Sequence, residues 1–239
     1  MRSLRTNFGA TCSLIGLLLL AACQHAAVPA PAPPAMPNWT DGWQPFPLPG
    51  KAPTSYQARL AEGRWVLHAQ SQRSASMVRR AVRIESGQLG KVTFSWKVLS
   101  LPAEADVRQS ETDDAVVRVL LAFDGDPGLL SARTRMMFDL AQTLSGEPPP
   151  FATLMYVWDG RTEVDSLVLN KRSDRIRKIV LESGPTHLGQ WRSYERDVRA
   201  DYRRAFGEDP GALVGVAVMT DSDNTQSQAE AWYGEIGFQ

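Results

Sequence analysis

The sequence predicts a mainly β protein, a jelly-roll-like β-sandwich with two inserted helices. Three observations carry that expectation. Most of the strong hydropathy pattern after residue 42 has period two, Gly, Pro, Asn and Asp punctuate the runs, and only two stretches switch to helical spacing. Many half-buried strands with two helices bury their apolar faces by packing sheet on sheet.

The chain opens with MRSLRTNFGATCSLIGLLLLAA, two arginines followed by an apolar run that ends in small residues. That order is a secretory signal over residues 1–22, too short and too early for a membrane-spanning helix. Leu20-Ala21-Ala22-Cys23 resembles the bacterial lipobox, which makes Cys23 the lipidated first residue of the mature chain. Gln24 is not the Asp associated with inner-membrane retention, so the resemblance implies an outer-membrane anchor facing the periplasm. Cys12 leaves with the signal and Cys23 carries the lipid, so no cysteine is left for a disulfide. Loss of Arg2 and Arg5 from 26 basic residues leaves 24 against 26 acidic ones. Nucleic acid is therefore not an expected partner, and membrane attachment is by lipid rather than by a basic patch. Residues 23–42 are a tether. The Ala/Pro alternation of HAAVPAPAPPAMP favours extended polyproline-like conformations and suits a spacer.

One domain is expected over residues 43–239, with no second linker or repeat. KVTFSWKVL puts Val92, Phe94, Trp96 and Val98 on one face and Lys91, Thr93, Ser95 and Lys97 on the other. DAVVRVLLAFD reads as a nearly buried strand from Asp114 to Asp124. Further strands are read in YQARLA, GRWVLHAQS, VRRAVRI, TLMYVW, DSLVLN, RIRKIVLES, ALVGVAVMT and AEAWYGEIGF. The first helix is expected after Asp126 as N-cap and Pro127 as first residue, ending before Gly146, with Met136, Met137, Leu140 and Leu144 as a core-facing stripe. The second is expected in YERDVRADYRRAFG, with Tyr194, Val198, Tyr202 and Phe206 on its apolar face and Gly207 as its stop.

The succession FSWKV, DDAVVRVLLAFDGD, YVWDG, IVLESG, GQWRSYERDVRADYRRAFGEDP and GVAVMTDSDNTQSQAEAWYGEIGF resembles a domain-of-unknown-function family of exported bacterial proteins, of the DUF3047 kind. The resemblance runs from about Trp43 and implies no particular activity. GQW and the closing YGEI are also similar to galactose-binding-like jelly rolls, which include many carbohydrate-binding modules.

No catalytic residue is assigned. His68 lies in a strand and His187 in a turn, no thiol remains, and no nucleophile elbow is present. Trp158, before Asp159-Gly160, and Trp191, in a loop, are the tryptophans expected to be free for a ligand; the alternative for each is packing. Asp197 and Asp201 stand four apart on the second helix, where an ion-pair network with neighbouring arginines is the default and a polar site organised by Arg196 the alternative. Asp221, Asp223 and Asn224 sit between two strands. An EF-hand is excluded by the missing Gly and by Glu230 at the tenth position; a turn is preferred over a ligand pocket or another kind of Ca²⁺ site. No cofactor or metal is assigned. The expectation is an outer-membrane lipoprotein whose non-catalytic sandwich binds envelope glycan or a similar polar ligand. Two alternatives stay open: a hydrolase or lyase acting on glycan through carboxylates near Asp197, Asp201 and Asp221, and a structural or assembly lipoprotein that binds another envelope protein.

Overall fold

The computed structural model describes residues 41–239. The expected signal, Cys23 and the expected tether up to residue 40 lie outside the described residues.

The described elements are, in chain order, β1 (Gln44–Pro47), β2 (Ser55–Ala61), β3 (Arg64–Gln72), β4 (Ala75–Ile84), β5 (Lys91–Val98), β6 (Arg118–Phe123), α1 (Ala132–Ser145), β7 (Ala152–Asp159), β8 (Leu167–Leu169), β9 (Ile176–Ser183), β10 (Arg192–Asp197), α2 (Val198–Phe206), β11 (Leu213–Asp221), β12 (Gln228–Tyr233) and β13 (Gly237–Phe238). They form a seven-stranded sheet, β1-β4-β11-β6-β7-β9-β8, and a six-stranded sheet, β10-β5-β12-β3-β2, with β13 added beside β5. Among the described strands, only β7 and β9 pair in parallel. The fold is a mainly β, jelly-roll-like sandwich with two inserted helices.

Period-two alternation builds the core. Val92, Phe94, Trp96 and Val98 of β5 point inward and are buried, as are Val119, Leu121 and Phe123 of β6. Phe94 sits among Trp96, Tyr156 and Tyr194 at ring separations of 5.2, 5.4 and 5.4 Å. Tertiary contact rather than local propensity fixes these strands.

Three expectations are corrected. β6 begins at Arg118, not at Asp114, because the Ala115 amide bonds to the Asp221 carboxylate (2.9 Å) instead of continuing a ladder. Asp126 caps only a single 3-10 turn; α1 starts later, with Ser131 accepting from the Thr134 amide. Its core contacts are Thr134 and Phe138, so Met136, Met137, Leu140 and Leu144 face outward. α2 starts at Val198, and Tyr194 and Arg196 belong to β10, a strand the pattern concealed. Val198 and Tyr202 of α2 are buried as expected, and Phe206 is partly buried against the same core.

The two outer faces of the sandwich differ. The long connection between β5 and β6 lies over the seven-stranded sheet, where Val107 and Ala115 pack on Val157, Val168 and Val180. Buried Asp159 fixes that cover by accepting from the Val107, Arg161 and Thr162 amides. The outer face of the six-stranded sheet carries polar and aromatic side chains instead.

Candidate functional site

Register aligns the outward side chains of the six-stranded sheet into rows. Lys97 of β5 stands opposite Trp232 of β12, Trp232 opposite His68 of β3, and His68 opposite Gln57 of β2. On the far side, β10 pairs with β5 through Arg192 and Trp96, so the preceding residue, Trp191, extends the same row beside Lys97. At a strand spacing of about 4.8 Å the two tryptophans lie on the order of 10 Å apart. The next row holds Glu230 opposite Gln70 and Gln70 opposite Ser55. Gln228 and Gln72 pair beyond it. These amides and the Glu230 carboxylate border a hollow of about 620 Å³, whose lining includes Ser55, Gln70, Gln72, Ser100, Gln228 and Glu230.

The row is held in place from below. His68 is buried, stacks on Trp232 with ring centroids 5.0 Å apart, and pairs through Nε2 with Glu230 Oε1 at 2.7 Å. Gln70 Nε2 donates to the same carboxylate oxygen at 3.2 Å. Trp232 therefore has one ring face fixed by His68, and Lys97 is its register neighbour on β5. Gly234 follows β12 with its amide bonded to Ser95 O; a Cβ there would meet Ser95 Oγ at 2.2 Å, so a larger residue would push the Ser95 hydroxyl aside.

The β2–β3 turn forms one wall. Glu62 and Gly63 hold φ of 51° and 77°, the left-handed pair that a two-residue hairpin needs. Glu62 accepts from Trp191 Nε1 at 2.8 Å and from Lys97. Those two bonds, the Lys97 one first, hold the Glu62 carboxyl below its usual pKa. The Arg64 guanidinium lies 3.6 Å over the Trp191 ring.

The residues singled out from sequence fall elsewhere, Trp191 excepted. Trp158 is a correction: it is 1% exposed and donates from Nε1 to Gly184 O, so no ligand reaches it. Asp197 and Asp201 do not share a helix face. Asp197 caps α2 through the Ala200 amide, whereas Asp201 is buried and accepts from Tyr156 Oη (2.9 Å) and from Arg196 Nε and Nη2 (2.8 and 2.6 Å). Arg196 is the inward residue of the pair, but Asp201 uses its guanidinium for structure.

Asp221, Asp223 and Asn224 close the β11–β12 connection. Asp221 is 3% exposed and binds Arg118 Nε and Nη2 at 3.2 and 2.8 Å; burial raises its pKa to about 6. Asp223 binds Lys51, and Asn224 donates from its amide to Asp114 and from Nδ2 to Asp113 O. Asp114 also takes the Thr225 amide and hydroxyl, while Arg118 reaches the neighbouring Asp113. Among the described residues, Asp114, Asp221 and Asp223 are the carboxylates close enough to share a cation, within 4.8 Å. Protein donors already occupy them. The three carboxylates considered for hydrolysis, Asp197, Asp201 and Asp221, have no partner in common.

Residues 41–237 match the family model described as "Protein of unknown function (DUF3047)". The chain belongs to the DUF3047 family. No curated protein matches the sequence. Several solved structures are similar to the DUF3047 domain at low identity. One is a family 11 carbohydrate-binding module from Clostridium thermocellum in complex with a β-1,3-1,4-mixed-linked tetrasaccharide, 10% identical over 82% of this chain and 86% of that chain, with a TM-score of 0.41. Another is the xyloglucanase domain of NopAA from Sinorhizobium fredii in complex with cellobiose, 7% identical over 82% and 92%, TM-score 0.43. A third is a xylan-binding module from Roseburia intestinalis, 15% identical over 82% and 94%, TM-score 0.28. These likenesses assign no residue of the DUF3047 domain.

Sequence reasoning missed Trp232, Glu230, His68 and Gln70. The signal was present in QAEAWY: Ala229, Ala231 and Tyr233 are inward, which sends Glu230 and Trp232 to the other face of the DUF3047 sheet.

Proposed function

We propose that the outward face of the six-stranded sheet binds glycan and that the protein is a non-catalytic glycan binder of the bacterial envelope. The observation that carries this reading is the Trp232–His68 stack set in a cross-strand row beside a polar hollow. Sugar rings present C–H faces that pack on flat aromatics, and their hydroxyls suit convergent amides and carboxylates. Gln70, Gln72, Gln228 and Glu230 supply such groups within reach of the Trp232 row. The face is open rather than a deep slot, which suits a chain passing across it. The two carboxylates nearest the row, Glu230 and Glu62, are each bonded to a neighbour, an arrangement suited to holding hydroxyls.

Lipidation at Cys23, an outer-membrane anchor facing the periplasm and an envelope glycan as ligand form the rest of the proposal. The experiment for the ligand is titration calorimetry of the protein with solubilised peptidoglycan fragments and with β-glucan oligosaccharides. Saturable heat with one of them, absent in Trp232→Ala, supports the reading; no binding to either class sinks it. Metabolic labelling with a clickable fatty acid, lost in Cys23→Ala, tests the address.

A further inference from the structure

We infer that α1 and the adjoining β8–β9 turn form a docking face for an anionic bilayer surface. This face is separate from the glycan platform and does not rest on it, and it adds a local basic contact to an attachment that the overall charge balance had left to lipid alone.

The helix is held on one side only. Thr134 is buried and its hydroxyl donates to Asp174 Oδ1 at 2.5 Å, and Phe138 packs partly against the core. Arg133, Met136, Met137, Leu140 and Leu144 recur at helical spacing on another flank, over about 16 Å of axis. Met136, Leu140 and Leu144 are 64%, 52% and 61% exposed. Leu169 at the end of β8, which lines a hollow together with Arg133, is exposed as well.

Cations sit at one end of this stripe. Arg133, Lys171, Arg172 and Arg177 line a hollow of about 270 Å³ that also takes in Leu169, against the single carboxylate of Asp174. Lys171 donates to Gln109, and Arg177 donates to the Ala205 and Ile176 carbonyls. The guanidinium groups of Arg133 and Arg172 have no partner among the described residues. Arg133 belongs to both the hollow and the helix stripe, so charge and apolar surface are continuous.

That combination fits a lipid surface by charge and by chemistry. Planar guanidinium groups take phosphate oxygens in pairs, while unbranched Met and Leu side chains enter the boundary between headgroups and acyl chains. Thioether sulfur also supplies a native probe, because methionine oxidation follows exposure.

The test uses the full chain, as processed by the cell, reconstituted into vesicles of phosphatidylcholine alone or mixed equally with phosphatidylglycerol. After peroxide treatment, sulfoxide is measured at Met136 and Met137 by mass spectrometry, with half-buried Met155 as internal reference. Oxidation of Met136 and Met137 is expected to slow severalfold in the anionic vesicles, and Arg133→Glu/Arg172→Glu is expected to remove the difference. Equal rates on the two lipids overturn the inference. So does protection on both lipids that rises with protein density, which would assign the face to a second copy. Flotation of the vesicles reports the anchor separately, so loss of the anchor cannot be mistaken for loss of docking.

Discussion

The ring of Trp232 stacks on that of His68, with centroids 5.0 Å apart and planes 23° from parallel. His68 in turn is buried and tied to Glu230, so the orientation of Trp232 is set before any ligand arrives. A preset ring loses little entropy on binding. Trp232→Ala is therefore expected to weaken saccharide binding roughly tenfold or more, about 1.4 kcal/mol. Trp191→Ala should weaken it less, because Arg64 already covers that ring. Calorimetric titration of both variants checks the order; equal losses would move the centre of the platform toward Trp191.

Lys178 supplies a prediction about pH. It is 1% exposed on β9, its ammonium donates to Val107 O at 2.9 Å and pairs with Asp113, and burial lowers its pKa from 10.5 to about 8. In the unfolded chain the amine keeps its proton up to about 10.5, whereas the folded chain releases it near 8. Between those values the unfolded state binds more protons, so stability rises with pH, by up to about 1.4 kcal/mol per unit. The contribution is lost as pH falls through about 8. Buried tyrosines, whose pKa values are raised, oppose this only above about pH 10. Urea titrations between about pH 8 and pH 10 should show the slope in the wild type and not in Lys178→Met, where Arg118 still holds Asp113. A slope that survives the substitution would assign the titration to another group.

The two helices should respond oppositely to truncation. Tyr202 of α2 is fully buried, edge-on to Phe123 at 4.7 Å and against Phe206 at 4.5 Å. Tyr202→Ala is expected to cost about 3–5 kcal/mol, the range for large aromatic truncations in a core. Leu140→Ala on α1 should stay within about 0.5 kcal/mol, as an exposed substitution does. Denaturant midpoints at constant slope would measure both. A large loss at Leu140 would mean that the stripe is covered within the folded chain, and the bilayer face would fall with it.

Much of the sandwich was legible because alternation along a strand records burial directly. KVTFSWKV is the clearest case, with each inward residue buried and each outward one polar. RSYERD concealed β10 because Tyr194, Val198, Tyr202 and Phe206 also fall at helical spacing. The chain does change from period two to 3.6, but at Asp197, which caps the helix. Amphipathicity misled at α1 for a different reason: an apolar stripe marks a face that avoids water, not the partner that covers it. The candidate site was the least legible part. Trp232, His68 and Gln57 are far apart in sequence and meet only through the pairing of β12, β3 and β2.

The carboxylates of Asp114, Asp221 and Asp223 come within 4.8 Å of one another, and the expected response to calcium follows from who already holds them. A bound Ca²⁺ takes about 6–8 oxygens at close range. Both oxygens of Asp221 face Arg118, a residue 3% exposed, and one of them also holds the Ala115 amide. Asp114 serves the Asn224 and Thr225 amides and the Thr225 hydroxyl, and Asp223 holds Lys51. An entering ion would have to displace a buried guanidinium and break the bonds that shape the turn, leaving buried donors unpaired at about 1–3 kcal/mol each. Calcium or a chelator is therefore expected to leave the melting temperature unchanged. The measurement is sensitive, since a site held at a hundred times its dissociation constant adds roughly 2.7 kcal/mol, a shift of several degrees in a domain of this size. The informative variant is Asp223→Asn, because Asp223 is the least committed of the three and, among the described residues, Lys51 is its only charged partner. A calcium-dependent rise in wild type that disappears in Asp223→Asn would mean that the ion replaces Lys51 and that the turn is a cation site.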